Sequence, residues 1–86
     1  MLLELYTSAF CEPCMQTRAI VAEASRLIPE ATVSEYDVAR YIDAAEAEDI
    51  RVTPTIIVRT SEGTEVFRAA GVPSLQQVLV AAAKAV

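Results

Sequence analysis

The chain has 86 residues, 53% of them hydrophobic, and a net charge of -5 with its seven basic residues spread singly. This fits one packed domain over residues 1–86 rather than a disordered chain, and it leaves no basic patch to hold a nucleic-acid backbone. No apolar run approaches the roughly 20 residues that cross a bilayer, and Met1 leads directly into an apolar segment with no basic leader, so no membrane partner is expected and the expected location is the cytoplasm.

Taken in chain order, Leu2–Tyr6 is a short apolar run that suits a buried strand, followed by a polar loop, Thr7-Ser8-Ala9. Glu12–Ile28 reads as a helix with Ile20, Ala24, Leu27 and Ile28 on its inner face, ended by Pro29. Ala31–Val38 is β-like, with Val33, Tyr36 and Val38 apolar. Arg40–Glu48 is an Ala-rich helix with Tyr41, Ile42 and Ala45 expected inward and the acids Asp43, Glu46, Glu48 and Asp49 solvated. Thr55–Thr60 is β-branched and reads as a strand, Ser61-Glu62-Gly63 as a turn and Thr64–Ala69 as the return strand of a hairpin, ended by Gly71. Ser74 with Gln77 three residues later forms a capping box for a last helix striped by Leu75, Val78, Leu79, Ala82 and Val86. The order βαβαββα implies an α/β fold: a four-stranded mixed sheet with helices on both faces, its first two strands parallel.

Both cysteines lie in Phe10-Cys11-Glu12-Pro13-Cys14. Two intervening residues put them about one helical turn apart, within reach of a disulfide. At the open end of a helix, Cys11 faces unpaired N–H groups and the positive end of the dipole, which favours the reactive thiolate. Cys14 is one turn in and shielded, and Pro13 sits where its missing N–H costs nothing. Three readings stay open: a redox centre, half of a zinc site, or two cysteines used as packing in a non-catalytic interaction module. Zinc wants about four Cys or His ligands, and the chain has two Cys and no His, so no metal is expected. The missing histidine also disfavours a cysteine hydrolase.

Three separated features make the chain resemble the thioredoxin-like superfamily, in its short form without the extra N-terminal strand and helix. They are Phe10 with the C-x-P-C motif, the stretch Ile50-Arg51-Val52-Thr53-Pro54-Thr55, and the hairpin followed by Gly71 and an amphipathic helix. The resemblance implies a minimal thioredoxin fold and a cis bond before Pro54. It also implies thiol–disulfide exchange on client proteins, with Cys11 as nucleophile, Cys14 as resolving thiol and a Cys11–Cys14 disulfide as the oxidised state. Thr53 would offer its backbone to an extended client segment and Pro54 would fix it, with Phe10, Glu12, Pro13 and Gly71 completing the client-facing rim. No cofactor is implied. The implied partners are client protein disulfides and a thioredoxin-reductase-like or other dithiol electron donor, and a monomer is expected.

The chain departs from the superfamily's pattern in several places. An acid usually stands six residues before the first cysteine, with a lysine neighbour; those places read as Leu5 and a position near Val33, so Cys14 loses its expected proton acceptor. Phe10 replaces the usual tryptophan and Met15 the usual basic residue, leaving Arg18 as the nearest cation. Glu12 beside Cys11 opposes the helix dipole, which implies a reducing pair. Glutaredoxins are the alternative family branch, but their upstream lysine is absent around Thr7-Ser8. Their Gly-Gly and Asp turn is replaced by Ala70-Gly71-Val72-Pro73-Ser74, so glutathione dependence is the weaker expectation.

Overall fold

Two short apolar segments, Leu2–Thr7 and Thr55–Arg59, become the two central strands. The computed structural model describes residues Met1–Val86. The elements are β1 (Leu2–Thr7), α1 (Glu12–Leu27), β2 (Thr32–Asp37), α2 (Ile42–Ala47), β3 (Thr55–Arg59), β4 (Glu65–Ala70) and α3 (Leu75–Ala85). The sheet order is β2-β1-β3-β4. β1 pairs in parallel with β2 and antiparallel with β3, and β3 pairs antiparallel with β4. This is the mixed four-stranded sheet that the βαβαββα order implies.

Strand alternation divides the core between the two faces of the sheet. On one face Leu3 and Leu5 of β1 and Ile56 and Val58 of β3 pack with Val21 and Ala24 of α1 and Val78, Ala81 and Ala85 of α3. On the other, Tyr6 and Ile57 meet Ala45 of α2, with Tyr36, Val38 and Ile50 partly buried around them. The second face is reinforced by charge: Arg59 donates to Glu4 at 2.8 Å and to Glu48 at 2.6 Å, and Arg68 donates to the Glu48 carbonyl at 2.6 Å. The bond to Glu4 in particular holds the Arg59 guanidinium in its charged form. The residues just beyond α2 are thereby tied to the sheet.

Four details differ from the sequence reading. α2 begins at Ile42 rather than Arg40. The Asp37 carboxylate accepts the N–H groups of Ala39 and Arg40, and the Asp37 carbonyl those of Arg40 and Tyr41, so local bonds hold this segment in a turn. Tyr41 and Ile42 are consequently exposed and only Ala45 faces inward. On α1 the buried line is Cys14, Thr17, Val21 and Ala24. Ile20 and Leu27 lie one position to the side of that line, and Leu27 is exposed. Val86 is exposed as well, being the cap residue past the end of α3.

α3 starts where expected: the Ser74 hydroxyl accepts the Gln77 N–H at 3.0 Å and the Gln77 side chain accepts the Ser74 N–H at 2.8 Å. This reciprocal cap satisfies two donors that a helix start otherwise leaves unpaired.

Candidate functional site

The site forms where β1 and β3 reach the same end of the sheet. β1 delivers the chain through Ser8 and Ala9 to Phe10, whose φ of 56° is a left-handed conformation that bulky residues seldom adopt. The chain thereby turns into α1 with Phe10 fully exposed. Cys11 is the N-cap of α1, and its sulfur accepts the Cys14 N–H at 3.1 Å. A sulfur that accepts a helix-terminal N–H is stabilised as thiolate. Cys14 is 1% exposed. The two cysteines are joined by a disulfide with Cα atoms 5.2 Å apart. An accessible first sulfur and a sheltered second one are thus both present. Pro13 lies in the first turn, as its missing donor permits, and Glu12 is exposed beside it.

The second half of the site comes from the loop before β3. The Thr53–Pro54 bond is cis, and Pro54 is fully buried. The Thr53 hydroxyl lies 4.0 Å from the Cys11 sulfur. The N–H and C=O of Thr53 take part in none of the turn and loop hydrogen bonds, so its backbone is open to an extended segment. Gly71 joins the same corner, its N–H donating to the Pro54 carbonyl at 2.8 Å. Its φ of 90° is one that side chains disfavour, with nothing within 4 Å of where a Cβ would stand. The requirement at Gly71 is therefore backbone conformation, not space.

Beside Cys11, between the head of α1 and the ends of β1 and β2, lies an open cleft of about 580 Å³, lined among others by Phe10, Cys11, Glu12, Arg18, Glu35 and Asp37 and not by the Thr53 loop. Here the sequence reading needs correction. Strand register sets Glu35 beside Leu5, while Val33 pairs with Leu3 and is exposed. Leu5 is apolar and buried as expected, but its neighbour on β2 is an acid. Glu35 accepts two bonds from Arg18, at 2.9 and 2.6 Å, and one from the Thr7 hydroxyl at 3.0 Å. The Arg18 bonds hold the Glu35 carboxyl below its ordinary range, with Thr7 adding to the effect and partial burial opposing it. A carboxylate held ionised in this way is a poor proton acceptor for Cys14.

That pairing carries a pH signature. A depressed folded-state pKa adds stability that is present above the ordinary value and is lost as pH falls through the folded one. The melting temperature is therefore expected to decline as pH drops below 4.5, the ordinary value for Glu35, and thermal melts should show a shallower decline for Glu35→Gln.

Thr17, missed in the sequence reading, is fully buried one turn beyond Cys14, and its hydroxyl has no hydrogen-bond partner. Burying an unpaired hydroxyl costs about 1–3 kcal/mol. Thr17→Val keeps the shape and removes that group, so urea unfolding should show a gain of about 1 kcal/mol.

A second cavity, of about 300 Å³, lies between β4 and α3 against Val66, Phe67, Val80 and Lys84. It contains neither cysteine, and its Ser74 hydroxyl is engaged in capping α3. Nowhere do three or more His, Cys, Asp or Glu side chains converge in a way that could hold a metal ion, and no helix is long and apolar enough to cross a membrane.

No protein-family model and no curated protein sequence matches the chain. Solved structures do match in shape. The chain is similar to a mutant thioredoxin from Halobacterium salinarum, with TM-score 0.87 and 20% identity over 98% of this chain and 73% of that one. It is similar to Fasciola hepatica thioredoxin, with TM-score 0.84 and 21% identity over 99% of this chain and 80% of the other. Mitochondrial thioredoxin 3 of Saccharomyces cerevisiae, in its oxidised form, gives TM-score 0.84 at 16% identity over 96% of this chain and 76% of its own length. At these identities the likeness concerns the path of the backbone: the chain has the thioredoxin fold, with its two cysteines at the head of the first helix.

Proposed function

We propose that the protein is a thiol–disulfide oxidoreductase that reduces client protein disulfides through a Cys11–Cys14 dithiol/disulfide cycle. The observation that carries this reading is the unequal pair: Cys11 caps a helix and accepts the Cys14 N–H at 3.1 Å, while its disulfide partner is 1% exposed.

In the cycle, the Cys11 thiolate attacks one sulfur of the client disulfide. That S–S bond breaks, a mixed disulfide forms, and the other client sulfur leaves as a thiolate that takes a proton from solvent. Cys14 loses its proton and attacks Cys11, expelling the second client thiolate and closing the Cys11–Cys14 bond. Two electrons pass to the client. A reductase or another dithiol then returns two electrons and two protons to the pair. No cofactor of its own is required. The client segment lies along the free backbone of Thr53, fixed by Pro54, with Phe10, Glu12, Pro13 and Gly71 around it. An exposed aromatic at this rim suits an apolar client contact.

The cleft beside Cys11 supports a protein client over glutathione. Glu12, Glu35 and Asp37 line it, and Arg18, its one cation, is engaged by Glu35. A ligand carrying two carboxylates of its own meets repulsion there. We place the protein in the cytoplasm, where a reductant of this kind finds thiols kept reduced, and infer a monomer.

The test is the equilibrium of the pair against a graded thiol/disulfide buffer, read by alkylation and mass. A two-electron transition well below the glutathione range supports a reductant. A transition well above it replaces this reading by an oxidant or isomerase. If no disulfide forms at any poise, the redox reading fails.

A further inference from the structure

Two hydroxyls, one from each half of the site, meet beside the nucleophile. Ser8 leaves the end of β1 and its Oγ lies 2.7 Å from Oγ1 of Thr53. Thr53 Oγ1 in turn lies 4.0 Å from Sγ of Cys11, placed to donate to it. The three atoms form a chain from β1 through the loop before β3 to the head of α1.

Either hydroxyl can donate in the Ser8–Thr53 bond, and counting protons leaves two directions for the chain. Each hydroxyl has one proton to give, and a thiolate has none. If the Thr53 proton goes to the sulfur, the proton in the short Ser8–Thr53 bond must come from Ser8. The alternative, in which Thr53 donates to Ser8, leaves the sulfur with the Cys14 N–H alone. The contact to the disulfide sulfur is long; a thiolate is a much stronger acceptor, and hydrogen bonds to charged groups are shorter and stronger than those to neutral ones. The relay therefore acts mainly on the reduced protein.

We propose that Ser8 is a positioning residue: its hydroxyl donates to Thr53 Oγ1 and so aims the Thr53 proton at the Cys11 sulfur whenever that sulfur is a thiolate. This rests on reading Cys11 as the nucleophile. It gives Thr53 a side-chain task beside the backbone one, and it makes the chemistry of Cys11 depend on a residue from the strand end. The charged groups that share the cleft with Cys11 are Glu12 and Arg18 from α1 and Glu35 and Asp37 from β2. None of them is altered in the test, so their effect on Cys11 is common to every variant.

The experiment is the pH profile of Cys11 alkylation in the reduced protein, for the parent and for Ser8→Ala, Ser8→Thr, Thr53→Val and the Ser8→Ala/Thr53→Val pair. One hydrogen bond to a charged group is worth about a tenfold change in the thiolate equilibrium, or one pH unit. Thr53→Val is expected to raise the midpoint by about that much, and Ser8→Ala by about half of it, since the unaimed hydroxyl still samples the sulfur. Ser8→Thr should restore the parent midpoint. In the Thr53→Val background, Ser8→Ala should add nothing, because the relay is already cut. The proposal is overturned if Ser8→Ala leaves the midpoint where it was, or if it shifts the midpoint equally in both backgrounds. Ser8 is half-exposed at a strand end, so Ser8→Ala and Ser8→Thr decide the matter even if Thr53→Val does not fold. The same samples placed in the thiol/disulfide buffer keep the two ideas apart. A pair that cycles normally while the midpoint ignores Ser8 refutes the relay alone; a pair that never oxidises refutes the redox cycle, whatever the midpoint does.

Discussion

Cys11→Ser is expected to abolish reduction of client disulfides, by about three orders of magnitude or more. A serine hydroxyl at the same helix cap stays protonated at neutral pH, and oxygen does not exchange with a disulfide. Cys14→Ser should behave differently. Cys11 keeps its helix-terminal N–H and still attacks, but no second thiol lies behind it to release the client. The variant should therefore accumulate a stable mixed disulfide, visible as a mass increment that a small dithiol removes. Turnover assays and intact mass of the two variants check this asymmetry. Equal trapping by both would mean that Cys11 and Cys14 have equivalent access, against the 1% exposure of Cys14.

Ile56→Ala is expected to cost about 3–5 kcal/mol, the cost of deleting three buried carbons from a site that cannot collapse. Ile56 is fully buried on β3, between β1 and β4, facing α1 and α3. A domain of this size holds roughly 4–13 kcal/mol in total. The change therefore removes a large share of the fold's stability and should lower the melting temperature by at least about 12 °C. Val33→Ala, on the edge strand β2 and 42% exposed, serves as the control and should stay within about 0.5 kcal/mol. Thermal and urea unfolding of both variants checks the contrast. A small loss at Ile56 would mean that the helices close over the gap.

The order of elements was legible because strands and helices bury their residues at different periods, and Ile56-Ile57-Val58 admits little but a central strand. The head of α1 was legible too, since a cysteine pair with an intervening proline only fits a first turn. The start of α2 was not: Tyr41 and Ile42 continue an apolar pattern, but Asp37 draws the N–H groups of Ala39, Arg40 and Tyr41 into a turn ahead of the helix. Glu35 was missed because its place beside Leu5 is a property of two paired strands, which neither strand's sequence displays. Ser8 and Thr53 meet across 45 positions, and small hydroxyls leave no periodic trace. The cysteines could be read in one window, whereas the groups that tune them are assembled only by the fold.

The two faces of the sheet are unequal, and this sets where the molecule yields first. The face with α1 and α3 rests on nine buried residues, that with α2 on three. α2 has only six residues and no side-chain cap. Amide protons of α2 should therefore exchange through local opening well before those of β1, β3 and α1. The loop carrying Thr53 follows α2, whereas Cys11 belongs to the stiffer layer. A docking edge that can breathe beside a nucleophile that stays put would let clients of different shape be seated without moving the attacking sulfur.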